Sequence, residues 1–137
     1  MIYAVSYVAT AIVFFGIDFV WLSKVAPEFY KSRIGDLLLD EPNFAAAGLF
    51  YLFYVAGIVY FVVAPALHGG NWMNAMVGGA LLGLIAYGTY DMTNLATLKN
   101  WSLTVSLVDM LWGAMLTSLA ATVGYSAGIW YVGRSTL

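Results

Sequence analysis

Four long apolar runs alternate with short polar ones along this chain. Residues 2–22, 44–64, 72–96 and 103–127 each reach the roughly 20 residues a helix needs to cross a bilayer's hydrocarbon core. The pattern predicts an all-α fold, a four-transmembrane-helix bundle forming a single integral membrane domain over residues 1–137. The segment after the first run holds most of the charge: Lys24, Glu28, Lys31, Arg33, Asp36, Asp40 and Glu41. Pro27 and Pro42 punctuate it. Between them, Phe29, Tyr30, Ile34, Leu37, Leu38 and Leu39 are spaced for a short amphipathic interfacial helix. A polar loop with a few apolar anchors is the alternative. Pro42 suits a first helical turn, and Pro65 stands just past the second run. Ala66–Asn71 and Thr97–Ser102 read as short turns, and Gly128–Leu137 as a tail.

Composition sharpens this picture. The chain is 63% hydrophobic and 9% charged. A soluble domain of 137 residues cannot hide that much apolar surface. The bilayer is therefore its first partner. Net charge is −2, so no electrostatic case for nucleic acid exists. The absence of cysteine excludes disulfides and thiolate chemistry. His68 stands alone in a Gly-rich turn and reads as a surface residue. Met1–Val20 has no basic n-region or clear cleavage site, so it reads as a retained first helix. Lys24, Lys31, Arg33 and Lys99 fall on one side of a four-span topology, against Arg134 on the other. The positive-inside rule then puts the first and third loops in the cytoplasm and both termini outside. Trp21 and Trp101 are expected at the cytoplasmic interface, and Trp72, Trp130 and Tyr3 at the other.

The candidate chemistry lies in three aspartates inside the spans: Asp18, Asp91 and Asp109. An ionisable group there costs about 2.5–3.5 kcal/mol on insertion scales and faces the bundle interior. Asp18 lies six residues before Lys24, Asp91 eight before Lys99, and Asp109 eight after Trp101. At ~1.5 Å per residue the three share one layer, roughly 8–12 Å inside the cytoplasmic boundary. Tyr87, Asp91 and Asn94 fall on one helix face, with Tyr90 four before Asn94. Ser102, Ser106 and Asp109 make a similar stripe. Three close carboxylates must share protons or a cation, or be satisfied by Asn94, Tyr87 and the serines. Lys99 is near enough to snorkel towards them. A hard cation bound by Asp18, Asp91 and Asp109 is one use of the oxygens. An organic cation against Trp21, Trp112 and the tyrosines is another.

The Asp18-x-x-Trp21 and Asp109-x-x-Trp112 segments look alike, but antiparallel helices should carry their tryptophans to different depths. Gly79/Gly83 and Gly124/Gly128 are small-xxx-small pairs, suited to close helix packing within the bundle or across a homodimer.

The run Tyr87–Trp101, YGTYDMTNLATLKNW, resembles the marker of the DUF2177 family of small bacterial membrane proteins. Met92 stands where the family's usual residue is Leu. Asp18, Trp21 and Leu22 fit the same pattern, as do Phe29 with Tyr30, Phe50 with Tyr51, and Asp109, Trp112 and Gly113. The resemblance covers nearly the whole chain. It implies a four-helix protein of the bacterial inner membrane and brings no activity or cofactor with it.

Three functions stay open on these residues. The first is a small carrier whose carboxylates bind a proton, a cation or a cationic molecule. The second is a membrane-embedded enzyme on a lipid or other apolar substrate, with the aspartates as acid and base. The third is a structural or accessory subunit of a membrane lipid-modifying system.

Overall fold

The structure, a computed structural model, describes residues 1–136. Every regular element among them is helical. Helix α1 spans Ile2–Val20, α2 Ala26–Ile34, α3 Phe44–Ile58, α4 Ala64–Gly69, α5 Trp72–Thr97 and α6 Leu103–Ser135. Three continuous helical stretches, Ile2–Leu37, Phe44–Gly69 and Leu103–Ser135, are long and apolar enough to cross a membrane. The 26-residue α5 is long enough as well. Its glycines, tyrosines, asparagines and Asp91 leave it less apolar than the other three. It lies antiparallel to α6 along most of its length and completes the four-helix bundle.

The two prolines expected to punctuate the chain do not end helices. Each follows a π-helical segment that carries the helix through. Trp21–Val25 joins α1 to α2 before Pro27, and Val59–Val63 joins α3 to α4 before Pro65. A proline has no N–H and its ring collides with the carbonyl four residues back. Widening the preceding turn relieves both problems. Ala26 N–H bonds Trp21 O, and Ala64 N–H bonds Val59 O. Both sites read Val-Ala-Pro, at 25–27 and 63–65.

The first and second helices therefore run past residues 22 and 64. The anticipated interfacial segment is helical over Ala26–Ile34 and closes in a 3-10 turn, Gly35–Leu37. Leu38 is extended, so Leu38 and Leu39 do not belong to it. The second span starts one residue past Asn43, whose side chain caps it by accepting from Ala46 N–H. Pro42 thus stands outside the helix. The last helix reaches Ser135, well beyond the expected end at 127.

Close backbone contact sets the packing. A Cβ on Gly83 would run into the Gly113 carbonyl on α6, and a Cβ on Gly113 would enter the Tyr87 ring. Only glycine allows α5 and α6 this approach. Gly79 faces Thr117 and Ser118, Gly124 faces Thr10, and Gly128 faces Ser6 and Leu67. All four glycines of the small-residue pairs are thus taken up by packing within one chain.

Helix α6 lies between α5 and α1. The Phe44–Gly69 stretch joins them mainly through the end of α3 and its π segment, where Val55, Ile58, Val62 and Val63 are buried with Phe14, Leu116 and Ala120. That core seals the half of the bundle towards the termini. At the other end α3 stands apart, and Phe44, Leu49 and Phe53 are exposed on it.

Candidate functional site

Where α3 parts from the bundle, a cavity of about 720 Å³ opens. Its floor is the core beneath Phe14 and Leu116. Asp18, Asp91 and Asp109 all line it. Each comes from a different helix. Asp18 sits one turn beyond Phe14 on α1 and is buried. Asp91 sits one turn beyond Tyr87 on α5 and is fully buried. Asp109 is half-buried on α6.

Aromatic donors hold two of the three carboxyls. Trp112 Nε1 donates to Asp18 Oδ1 over 3.2 Å. The Tyr30 hydroxyl donates to Asp109 Oδ1 over 2.8 Å. Neither oxygen of Asp91 has a hydrogen-bond partner, and the Tyr87 hydroxyl one turn away has none either. An unpaired buried polar group is costly. Both groups lie on one face of α5, behind the cavity wall and closed to water.

Trp21 and Trp112 stack, with ring centroids 4.3 Å apart and planes 13° from parallel. The expectation that these tryptophans lie at different depths is wrong. The reason is side-chain tilt. Every helical Cα–Cβ bond leans towards the N-terminus. Trp21 therefore leans back into the bundle, Trp112 leans out towards the loops, and the two meet.

Other expectations also shift. Lys99 is exposed and stands outside the cavity lining, so it supplies no counter-charge. No Lys, Arg or His lines the cavity. Asn94 and Tyr90 do line it, beside Asp91. Among the described residues no three His, Cys, Asp or Glu side chains are grouped closely enough to hold a metal ion.

Trp101 is half-buried. Its Nε1 donates to Ser106 Oγ at 2.9 Å, and Ser106 in turn reaches the Asp91 carbonyl at 3.3 Å. Trp72 and Trp130 are exposed at the opposite end. His68 is a surface residue there, 3.3 Å from the Tyr3 hydroxyl.

Sequence reasoning missed the α3 wall and the α2 roof. Ala47, Phe50, Tyr51 and Tyr54 follow helical spacing and face the cavity. Their signal was two tyrosines three apart in an otherwise apolar span. Tyr54 closes the inner end by pairing with Thr117 Oγ1 at 2.8 Å. Tyr30, Ile34 and Leu38 cover the opposite end. Tyr30 lies twelve residues after Asp18, about 18 Å along a straight helix. It reaches the aspartate layer because the π segment and Pro27 let α2 lean over the bundle.

No curated protein and no solved structure matches the chain. The family model described as "Predicted membrane protein (DUF2177)" matches residues 3–126. With nearly the whole chain matched and its helices apolar enough for a bilayer, the protein is a membrane protein belonging to the DUF2177 family.

Proposed function

We propose that this protein is a small carrier that binds an organic cation in the cavity between α3 and the other helices. One observation carries the reading. Three carboxyls and a wall of aromatic rings enclose the cavity, and no basic side chain lines it. Carboxylates inside a membrane protein mark ion and proton pathways. Aromatic faces attract cations by about 0.5–2 kcal/mol each, most strongly where water is excluded. The volume of 720 Å³ falls within the range of small-molecule sites.

In this reading Asp18 and Asp109 meet the cation first, since each keeps one oxygen clear of its aromatic donor. The Trp21–Trp112 pair supplies a flat cationophilic wall. Asp91, behind Asp109, takes up the proton or positive charge that its unpaired oxygens require. The basic residues around α2 favour a cytoplasmic position for this end, in the bacterial inner membrane, with both termini outside.

Tetraphenylphosphonium tests the reading directly. In nanodiscs it should quench the Trp21 and Trp112 emission saturably, and Asp18→Asn with Asp109→Asn should abolish that quenching. Quenching that never saturates, or that survives the double substitution, would refute it.

A second reading, a membrane-embedded enzyme on an apolar substrate, draws on the Tyr30–Asp109 pair. A phenol held against a carboxylate at 2.8 Å is a ready proton-transfer couple. Turnover of a substrate by wild type, lost in Tyr30→Phe, would favour it over the carrier.

A further inference from the structure

We propose that the cavity takes its ligand sideways from the bilayer, through a gap between α3 and α5, and that the ligand is an amphiphilic cation with an alkyl chain. This rests on the cation-binding reading above and adds the substrate class and its route.

The gap follows from how α3 is held. Over Phe44–Ile58 its backbone approaches α1 and keeps away from α5 and α6, which it reaches at the inner end through Tyr54, bonded to Thr117 and packed on Tyr87. Its main attachment to the bundle is the π segment further along. Two cavity-lining side chains stand on opposite sides of this gap, Phe50 on α3 and Tyr90 on α5. They are 61% and 58% exposed. A residue that lines a cavity and still faces outward marks its mouth. Ala47 on α3 and Ala86 on α5 line the cavity too, and both are too small to close it.

At the aqueous end Leu22 and Leu38 also line the cavity while exposed, and the contrast lies in what crosses that end. Helix α2 lies across it with Ile34 buried, and the Tyr30–Asp109 hydrogen bond fastens it. Water-borne access would have to break that bond. Access from the hydrocarbon would not.

The lining sorts by polarity in the same sense. Asp18 and Asp91 are buried and Asp109 and Asn94 half-buried, while Thr89 and Thr93 are exposed polar residues of the lining. Phe50 and the two alanines lie at the mouth. A molecule with a positive head and a hydrocarbon chain matches that order. Its head meets the carboxylates, and its chain stays in the gap, continuous with lipid. A compact hydrophilic cation matches only the inner half.

The test uses a dodecyltrimethylammonium probe brominated on its chain, since bromine quenches tryptophan on contact. The full-length protein in phosphatidylcholine nanodiscs is mixed with the probe, and the quenching rate is followed. Ala86→Phe should slow quenching at least tenfold. Ala47→Phe, on an exposed position of the facing wall, should do the same and guards against misfolding at Ala86. Tyr30→Phe, which loosens the α2 end, should leave the slowing by Ala86→Phe and Ala47→Phe intact when combined with either.

Wild-type rates in both alanine variants, with faster quenching in Tyr30→Phe, would overturn the proposal and place access past α2. Saturable binding of tetraphenylphosphonium with no specific quenching by the chain-bearing probe would overturn it while leaving the cation site standing. Failure of both probes would remove the cation site as well.

Discussion

The Tyr30 hydroxyl donates to Asp109 Oδ1 across 2.8 Å, joining residues 79 positions apart. This single bond ties the roof helix to the acidic layer of the bundle. It exists because a π turn ahead of Pro27 redirects the chain, and it covers one end of a cavity whose other walls are carboxylates and aromatic rings.

Removing it should loosen the roof without unfolding the bundle. Tyr30→Phe keeps the ring and loses the donor. A hydrogen bond to a charged group contributes about 1.5–3 kcal/mol, less where water can replace the partner. Thermal unfolding in nanodiscs should therefore shift down by no more than that, while amide exchange in residues 26–37 rises. Unchanged exchange in that segment would show that the bond does not hold α2.

The α5–α6 contact should be far less forgiving. Gly83→Ala places a methyl against the Gly113 carbonyl, and overpacking of this kind costs roughly 1–3 kcal/mol or more. Gly57→Ala meets open space and should be neutral or slightly stabilising through helix propensity. Melting both variants beside wild type checks the contrast. Equal stabilities would mean that the close approach of α5 and α6 is wrong.

The tryptophan stack has an optical signature. Two indoles 4.3 Å apart and nearly parallel should couple and distort the far-ultraviolet circular dichroism. Trp21→Phe and Trp112→Phe should each remove the same feature. Only Trp112→Phe also removes the donor to Asp18, so it should be the less stable of the two.

Cation binding to carboxylates should compete with protons. If each bound cation displaces a proton, affinity falls as pH falls, by at most about tenfold per unit for one proton. Titrating tetraphenylphosphonium at several pH values reads that slope. Binding that strengthens in acid would contradict a carboxylate site.

Much of this was legible in the chain. The aspartates interrupt spans at matching distances from polar boundaries, and all three line one cavity. Tyr87, Asp91 and Asn94 share a face by spacing, and all three line the cavity.

What could not be read depends on three dimensions. Proline is ordinarily a helix stop, so Pro27 and Pro65 concealed the π turns that carry helices through them. Tyr30 sat in a charged segment, and no local rule says that the segment folds back. Lys99 was near the aspartates in sequence, yet Asn100 with positive φ turns the chain at the end of α5 and leaves the lysine exposed. The tryptophan stack needed side-chain tilt as well as Cα depth.

The most direct measurement is made on Asp91→Asn, with thermal stability and tetraphenylphosphonium affinity determined on the same nanodisc sample. The buried Asp91 carboxyl has no partner to lose, so a neutral isostere should leave the melting temperature unchanged or raise it. The same substitution should weaken cation binding at least tenfold. Stability and binding moving in opposite directions is the mark of a residue kept for function. A clear fall in melting temperature with binding intact would make Asp91 a structural tie between helices and would contradict the account.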